Sequence, residues 1–251
     1  MGQYYYIINA DRKEYLNPFD YNNGLKLMEW SYDKNYLVLA LENLMSGAWM
    51  GDRVYVVGDY ADLSDVSECW AKTLESLLEE FGTEDLYGYV YEHFLRVLPE
   101  KKLRSRPYSS SVDERPVSDT TASVEDNGFR YLYNHKARQV IDLEKCPIEW
   151  GWWDAEERRG SVARVSPLSL LLTMGNGRGG GDYRGVNAEL LGSWCADAPF
   201  VELSKEPLLF ALDYEELAPD FTEREKKISW TDENVVILEA KEEREKWNTL
   251  T

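Results

Sequence analysis

The sequence predicts an α+β protein of two related halves, with short antiparallel strands and amphipathic helices. Three observations lead there. Aromatic and β-branched runs separated by polar turns read as hairpins, leucines and aromatics at helical spacing read as amphipathic helices, and several landmarks occur twice in the same order. With 251 residues, 43% of them hydrophobic and 13% aromatic, the chain has ample material for a packed core.

In chain order, Tyr4–Asn9, a turn around Ala10–Lys13 and Glu14–Leu16 read as a hairpin. Asn35 is placed to cap a helix over Tyr36–Met45 with Leu37, Leu41 and Leu44 on one face. Arg53–Val57 reads as a strand. Ser64 and Thr83 read as caps of two further helices: Trp70, Leu74, Leu77, Leu78 and Phe81 line one, and Leu86, Val90, Phe94 and Val97 line the next as far as Pro99. Glu68, Glu75, Glu79 and Glu80 fall on an outer face, where solvation explains them. Residues 101–127 are rich in Ser, Pro and charge and read as a polar linker or mobile loop. The domain expectation is therefore 1–100 and 128–251, joined by 101–127. Near the end, Asn234–Leu238 reads as a strand and Glu239–Trp247 as a charged helix.

The recurrences are specific. Phe129–Asn134, a turn at His135–Ala137 and Arg138–Ile141 repeat the opening hairpin, with Asn9 and Asn134 in corresponding places. Gly47-Ala48-Trp49-Met50-Gly51-Asp52 and Gly192-Ser193-Trp194-Cys195-Ala196-Asp197 share G-[AS]-W-x-x-D. A strand-like segment follows each, Arg53–Val57 and Pro199–Leu203. Trp49 and Trp194 belong to the core on ordinary grounds. If both faced one cleft they would wall a planar ligand, with Asp52 and Asp197 at its rim.

The formal net charge is −18, and its distribution matters. Residues 1–100 carry a net −11, residues 101–150 a net +1 and residues 151–251 a net −8. A surface of that sign repels phosphate backbones, so direct nucleic-acid binding is not expected. The three cysteines, Cys69, Cys146 and Cys195, are far apart and lack C-x-x-C spacing, which suits a reducing compartment better than a disulfide framework or a zinc knuckle. Asp11, Arg12, Lys13 and Glu14 interrupt any apolar leader, and the apolar runs fall short of a membrane span; a cytoplasmic location is expected.

Within this acidic chain the glycine-rich stretch at 175–185 stands apart. Gly179, Gly180 and Gly181 would let backbone N–H groups approach an anion, while Arg178 and Arg184 would grip it; Asn176, Asp182 and Tyr183 complete the candidate ligand site. It lacks the G-K-[ST] of a Walker loop and the glycine spacing of a dinucleotide turn. Asp52, Asp59 and Asp62 gather carboxylates around one strand, a conceivable divalent-cation site, although their spacing matches no calcium loop. Histidines number two, His93 on a helix and His135 in a hairpin turn, and neither stands near a nucleophile in sequence, so triad catalysis has little support. His93 is expected to be half-buried. Glu149–Asp154 is a dense tryptophan cluster suited to core or contact surface.

Met1–Tyr5, Asn23–Glu29, Gly58–Asp62 and Asn176–Tyr183 together resemble a group of uncharacterised proteins found in bacteria, prophages and phages. That resemblance spans both halves and implies a microbial or viral origin, with no activity attached. The leading expectation is an acidic binding protein, an accessory or inhibitor that takes a protein partner or a small anionic ligand without a resident cofactor. The alternative is a nucleotide-binding enzyme or sensor that uses the glycine-rich loop with a carboxylate-bound divalent cation.

Overall fold

The computed structural model describes residues 3–63, 68–103, 115–146, 149–154, 159–175 and 190–218. Its strands are β1 (Tyr5–Asn9), β2 (Glu14–Leu16), β3 (Val54–Gly58), β4 (Leu95–Pro99), β5 (Val117–Ala122), β6 (Tyr131–Asn134), β7 (Gln139–Asp142), β8 (Glu149–Asp154), β9 (Arg159–Arg164), β10 (Thr173–Met174), β11 (Val201–Ser204) and β12 (Glu215–Leu217). The α-helices are α1 (Leu27–Trp30), α2 (Tyr36–Met45), α3 (Glu68–Phe81), α4 (Leu86–His93) and α5 (Pro167–Leu171). They form a mixed α+β structure with a six-stranded sheet ordered β10-β3-β1-β2-β4-β5, a four-stranded sheet ordered β11-β6-β7-β12, and the separate pair β8-β9.

Local chemistry explains the best-defined elements. The Asn35 side chain accepts from the Leu37 N–H at 2.8 Å and starts α2, whose residues are buried almost all round. In α3, Trp70, Leu74 and Leu77 are buried, while Glu75, Glu79 and Glu80 face solvent as their helical spacing requires. Before α4 the cap is Asp85, which accepts from the Gly88 N–H at 2.9 Å, and Thr83 supports it by accepting from the Asp85 N–H.

That helix is shorter than its apolar period suggests. It stops at His93, and Leu95–Pro99 turns into β4, parallel to β2 with Glu14 opposite Leu95 and Tyr15 opposite Arg96. Pairing with an open sheet edge overrides a helical spacing of Phe94 and Val97, which are buried either way. His93, expected half-buried, is exposed at the helix end. Within the stretch read as linker, Val117–Ala122 is β5, which pairs with β4 and buries Ser118 and Ala122. The expected cap at Ser64 and the expected strand and helix at 234–247 lie outside the described residues.

The two larger sheets share one connectivity. In each, a central hairpin takes a later strand antiparallel on one side, β3 on β1 and β11 on β6, and a last strand parallel on the other, β4 on β2 and β12 on β7. Asn9 pairs with Glu14 and Val54, and Asn134 with Gln139 and Val201. Both hairpins place a non-glycine residue in the left-handed region at the same turn position, Lys13 at φ 52° and Arg138 at φ 56°. After each hairpin a side chain caps a 3-10 turn, Asn17 onto Phe19 N–H and Asp142 onto Glu144 N–H. One element crosses over: β10 follows α5 in the second half of the chain yet adds to β3 in parallel, with Thr173 opposite Val56.

Two glycines test this framework unequally. Gly51 and Gly192 both have positive φ, 81° and 70°, but a Cβ on Gly51 would meet open space, whereas one on Gly192 would stand 2.4 Å from the Thr173 carbonyl oxygen. Gly51→Ala is expected to cost about 1 kcal/mol from backbone conformation alone. Gly192→Ala should cost at least about 3 kcal/mol, since steric overlap adds to that strain. Urea denaturation of both variants checks the difference, and equal losses would contradict it.

Candidate functional site

The repeated tryptophans are core supports. Trp49 is 0% and Trp194 2% exposed, leaving no ring face for a planar ligand. The Trp49 indole N–H donates to Glu14 Oε2 at 2.7 Å, and the Trp194 indole N–H donates to Gln139 Oε1 at 3.0 Å. Each partner begins the second strand of its hairpin. The paired aspartates act alike: Asn9 donates to Asp52 at 2.9 Å and Asn134 to Asp197 at 3.1 Å, while Arg12 reaches Asp52 at 2.7 Å and Lys136 reaches Asp197 at 2.8 Å. These bonds tie each G-[AS]-W-x-x-D loop to the turn of its own hairpin.

That arrangement divides the three aspartates read as a cation site. Asp52 precedes β3 and Asp59 follows it, and the five extended residues of the strand between them span roughly 16 Å, too far for the two to share an ion. Among the described residues no group of three His, Cys, Asp or Glu side chains is placed to hold a metal. Asp59 instead accepts from the Tyr4 N–H at 2.9 Å, and burial raises its carboxyl against that hydrogen bond. With Asp62, Glu75, Glu79 and Asp85 it borders an open basin of about 920 Å³ floored by Leu78. The candidate residues Asn176, Arg178, Gly179, Gly180, Gly181, Asp182, Tyr183 and Arg184 lie outside the described residues.

A second cavity, of about 360 Å³, has a different character. It lies where the chain after α1 meets the strand before α5. Tyr32 bridges Val165, the Asp33 N–H donates to the Arg164 carbonyl at 2.6 Å, and the Ser166 N–H donates to the Ser31 carbonyl at 2.8 Å. One wall is α2, which contributes Glu42; another is the approach to β6, with Asp126, Phe129 and Arg130; the 3-10 turn after β7 supplies Leu143 and Glu144. Arg164 Nη1 donates to the Leu143 carbonyl at 2.9 Å, and the Leu143 N–H donates to the Arg130 carbonyl at 2.9 Å, so the walls hold each other.

The charges here sort into engaged and unengaged groups. Arg130 is committed to Asp142, through Nε at 3.0 Å and Nη2 at 2.9 Å, and to Glu144 at 2.7 Å. Lys34 stands 3.4 Å from Asp126, which also accepts from the Gly128 N–H. Arg164 has no carboxylate partner among the described residues, and Lys205 lies 5.7 Å over the Phe129 ring without one. On the acidic side, Asp33 is exposed, and no ion pair reaches its carboxylate among the described residues. Glu42 is 8% exposed, and no hydrogen bond or ion pair reaches its carboxyl among the described residues. Burial first, then the negative charges of Asp33 and Asp126, push it up to about 8. It is therefore mostly protonated at neutral pH and offers an O–H donor to the cavity. Ser166 Oγ is also buried there without a partner.

Buried polar groups normally find hydrogen-bond partners, so unsatisfied ones beside two cations that lack a carboxylate partner among the described residues make this cavity the candidate site. The signal was present locally: Glu42 is the one charged residue in the largely apolar run Leu37–Met45. The rest of the cavity is assembled from segments that no spacing connects.

Neither histidine borders this cavity. His135 instead contacts Glu202 at 2.7 Å and Tyr214 at 3.3 Å and stacks on Tyr133. Cys146 and Cys195 are buried and in no disulfide, and burial pushes Cys146 up to about 12, far from a reactive thiolate. Among the described residues no helix is long and apolar enough to cross a membrane. No protein-family model, curated protein or solved structure matches the chain.

Proposed function

We propose that this chain is a binding protein that holds a small anion-bearing molecule in the 360 Å³ cavity, with Arg164 and Lys205 as the anion's partners. The observation that carries this reading is the presence, on one cavity of a chain of net charge −18, of two cations without carboxylate partners among the described residues. A guanidinium anchored to a main-chain carbonyl keeps donors in fixed directions for a carboxylate or phosphate. Thermal unfolding with rising inorganic phosphate and acetate tests it. Saturating ligand at about 100 times its Kd adds roughly 2.7 kcal/mol of stability, and Arg164→Met should abolish that gain. An equal shift in wild type and variant, or none in wild type, sinks the reading.

The matching strand order, the matched asparagine–aspartate bonds and the paired left-handed turn residues support a second statement, that the halves are copies of one duplicated unit. Asp52→Ala and Asp197→Ala should then cost similar stability in urea unfolding, and a loss from one alone would remove that support. A microbial, cytoplasmic setting agrees with the sequence resemblance and with two buried cysteines that form no disulfide. Recovery of the protein in an extracellular or membrane fraction of its host would count against it.

A further inference from the structure

We infer that the ligand is a small zwitterion of amino-acid size, its anionic end on Arg164 and Lys205 and its ammonium on Asp33 and Glu42, a ligand class that rests on the anion site proposed above. The cavity's ionic inventory carries this. Two cation–acid sets are already complete, Lys34 with Asp126 and Arg130 with Asp142 and Glu144. What remains without an ionic partner among the described residues is two cations, Arg164 and Lys205, and two acids, Asp33 and Glu42. A simple anion would satisfy the first pair and leave Glu42 and Asp33 facing an added negative charge. A simple cation would do the reverse. A molecule with both charges complements both pairs at once, and about 360 Å³ is enough for an amino acid with its side chain.

Glu42 supplies the discriminating chemistry. It enters the cavity from α2, surrounded by apolar neighbours, with Asp33 and Asp126 as the carboxylates that act on it. Lys34 and Arg130 are held by their own acids, and Arg164 and Lys205 are the cations left for the ligand's anionic end. An incoming ammonium stabilises the ionised form of Glu42, so the carboxyl gives up its proton to solvent and pairs as a carboxylate. An incoming anion without ammonium favours the protonated form and drives proton uptake instead.

The test uses the whole protein and the free proteinogenic amino acids as probes, screened by thermal shift and followed by calorimetry of the tightest. Its N-acetyl derivative and its amide, which remove one charge each, should bind at least tenfold more weakly. Calorimetry near pH 7.5 in buffers of different ionisation enthalpy should show proton release. Glu42→Gln should lose the preference for the amino acid over its N-acetyl form, while Arg164→Met loses binding of both. Equal affinity for the N-acetyl form, or proton uptake, overturns the zwitterion. Arg164-dependent binding of phosphate with no response to any amino acid overturns it while leaving the anion site standing. No binding of phosphate, acetate or amino acid removes both.

Discussion

Glu42→Gln is expected to stabilise the protein by about 3 kcal/mol at pH 7, more at pH 9 and hardly at all at pH 4. The sign follows from where the proton sits. In the unfolded chain the carboxyl ionises near 4.5; in the folded protein burial and two nearby acids hold it protonated up to about 8. Between those values folding must take up a proton, so the stability Glu42 permits is fullest below pH 4.5, falls as pH rises to about 8 and stays low above it. Glutamine keeps the volume and cannot ionise, so its profile loses this slope. Urea unfolding of both proteins at pH 4, 7 and 9 measures the difference, and parallel profiles would show that the carboxyl is not held protonated. Such a gain from removing an acid is the usual mark of a group retained for binding at some cost in stability.

Replacement of Glu14 by alanine should have the opposite effect, a loss of about 4 kcal/mol. This carboxylate is 5% exposed and accepts from the Trp49 indole at 2.7 Å, from Thr120 Oγ1 at 2.7 Å and from Ser118 Oγ, joining the first hairpin to the tryptophan loop and to β5. Alanine leaves three donors unpaired beside a void. At the matching place in the second sheet, Gln139 serves Trp194 with one neutral hydrogen bond and is only half-buried, so Gln139→Ala should cost about 1 kcal/mol. Thermal or urea unfolding ranks the two. Comparable losses would mean that the three-donor arrangement around Glu14 adds nothing beyond the indole bond.

What the sequence makes legible is what short range decides. Asn35 and the leucine run behind it announce α2 because cap and period lie within one helix. The two hairpins announce themselves through turn residues, and even their likeness can be read, since Asn9 and Asn134 each fasten their own turn: Asn9 accepts from the Asp11 and Arg12 N–H groups, and Asn134 from that of Ala137. Leu95–Pro99 is not legible, because its fate depends on β2, some eighty residues away, offering a free edge. The candidate cavity is hidden for the same reason. Glu42, Arg130, Arg164 and Lys205 belong to four separate segments, and only folding shows which charges are spent on neighbours. The aspartates at 52, 59 and 62 illustrate the converse: closeness along the chain suggests a cluster, and an extended strand pulls it apart.

The crossing of β10 onto β3 has a consequence for biogenesis. During synthesis the first sheet leaves the ribosome without its outermost strand, and the waiting edge is Val54-Tyr55-Val56-Val57, a hydrophobic β-forming segment of the kind that recruits foreign strands. It stays uncovered until residues 173 and 174 emerge and fold back. A chain halted between the halves therefore carries a sticky border that the finished protein covers at Val56 and Val57. Translation pauses, nonsense codons or proteolytic nicks in that interval yield fragments that aggregate, and chaperone dependence should be concentrated in that same interval.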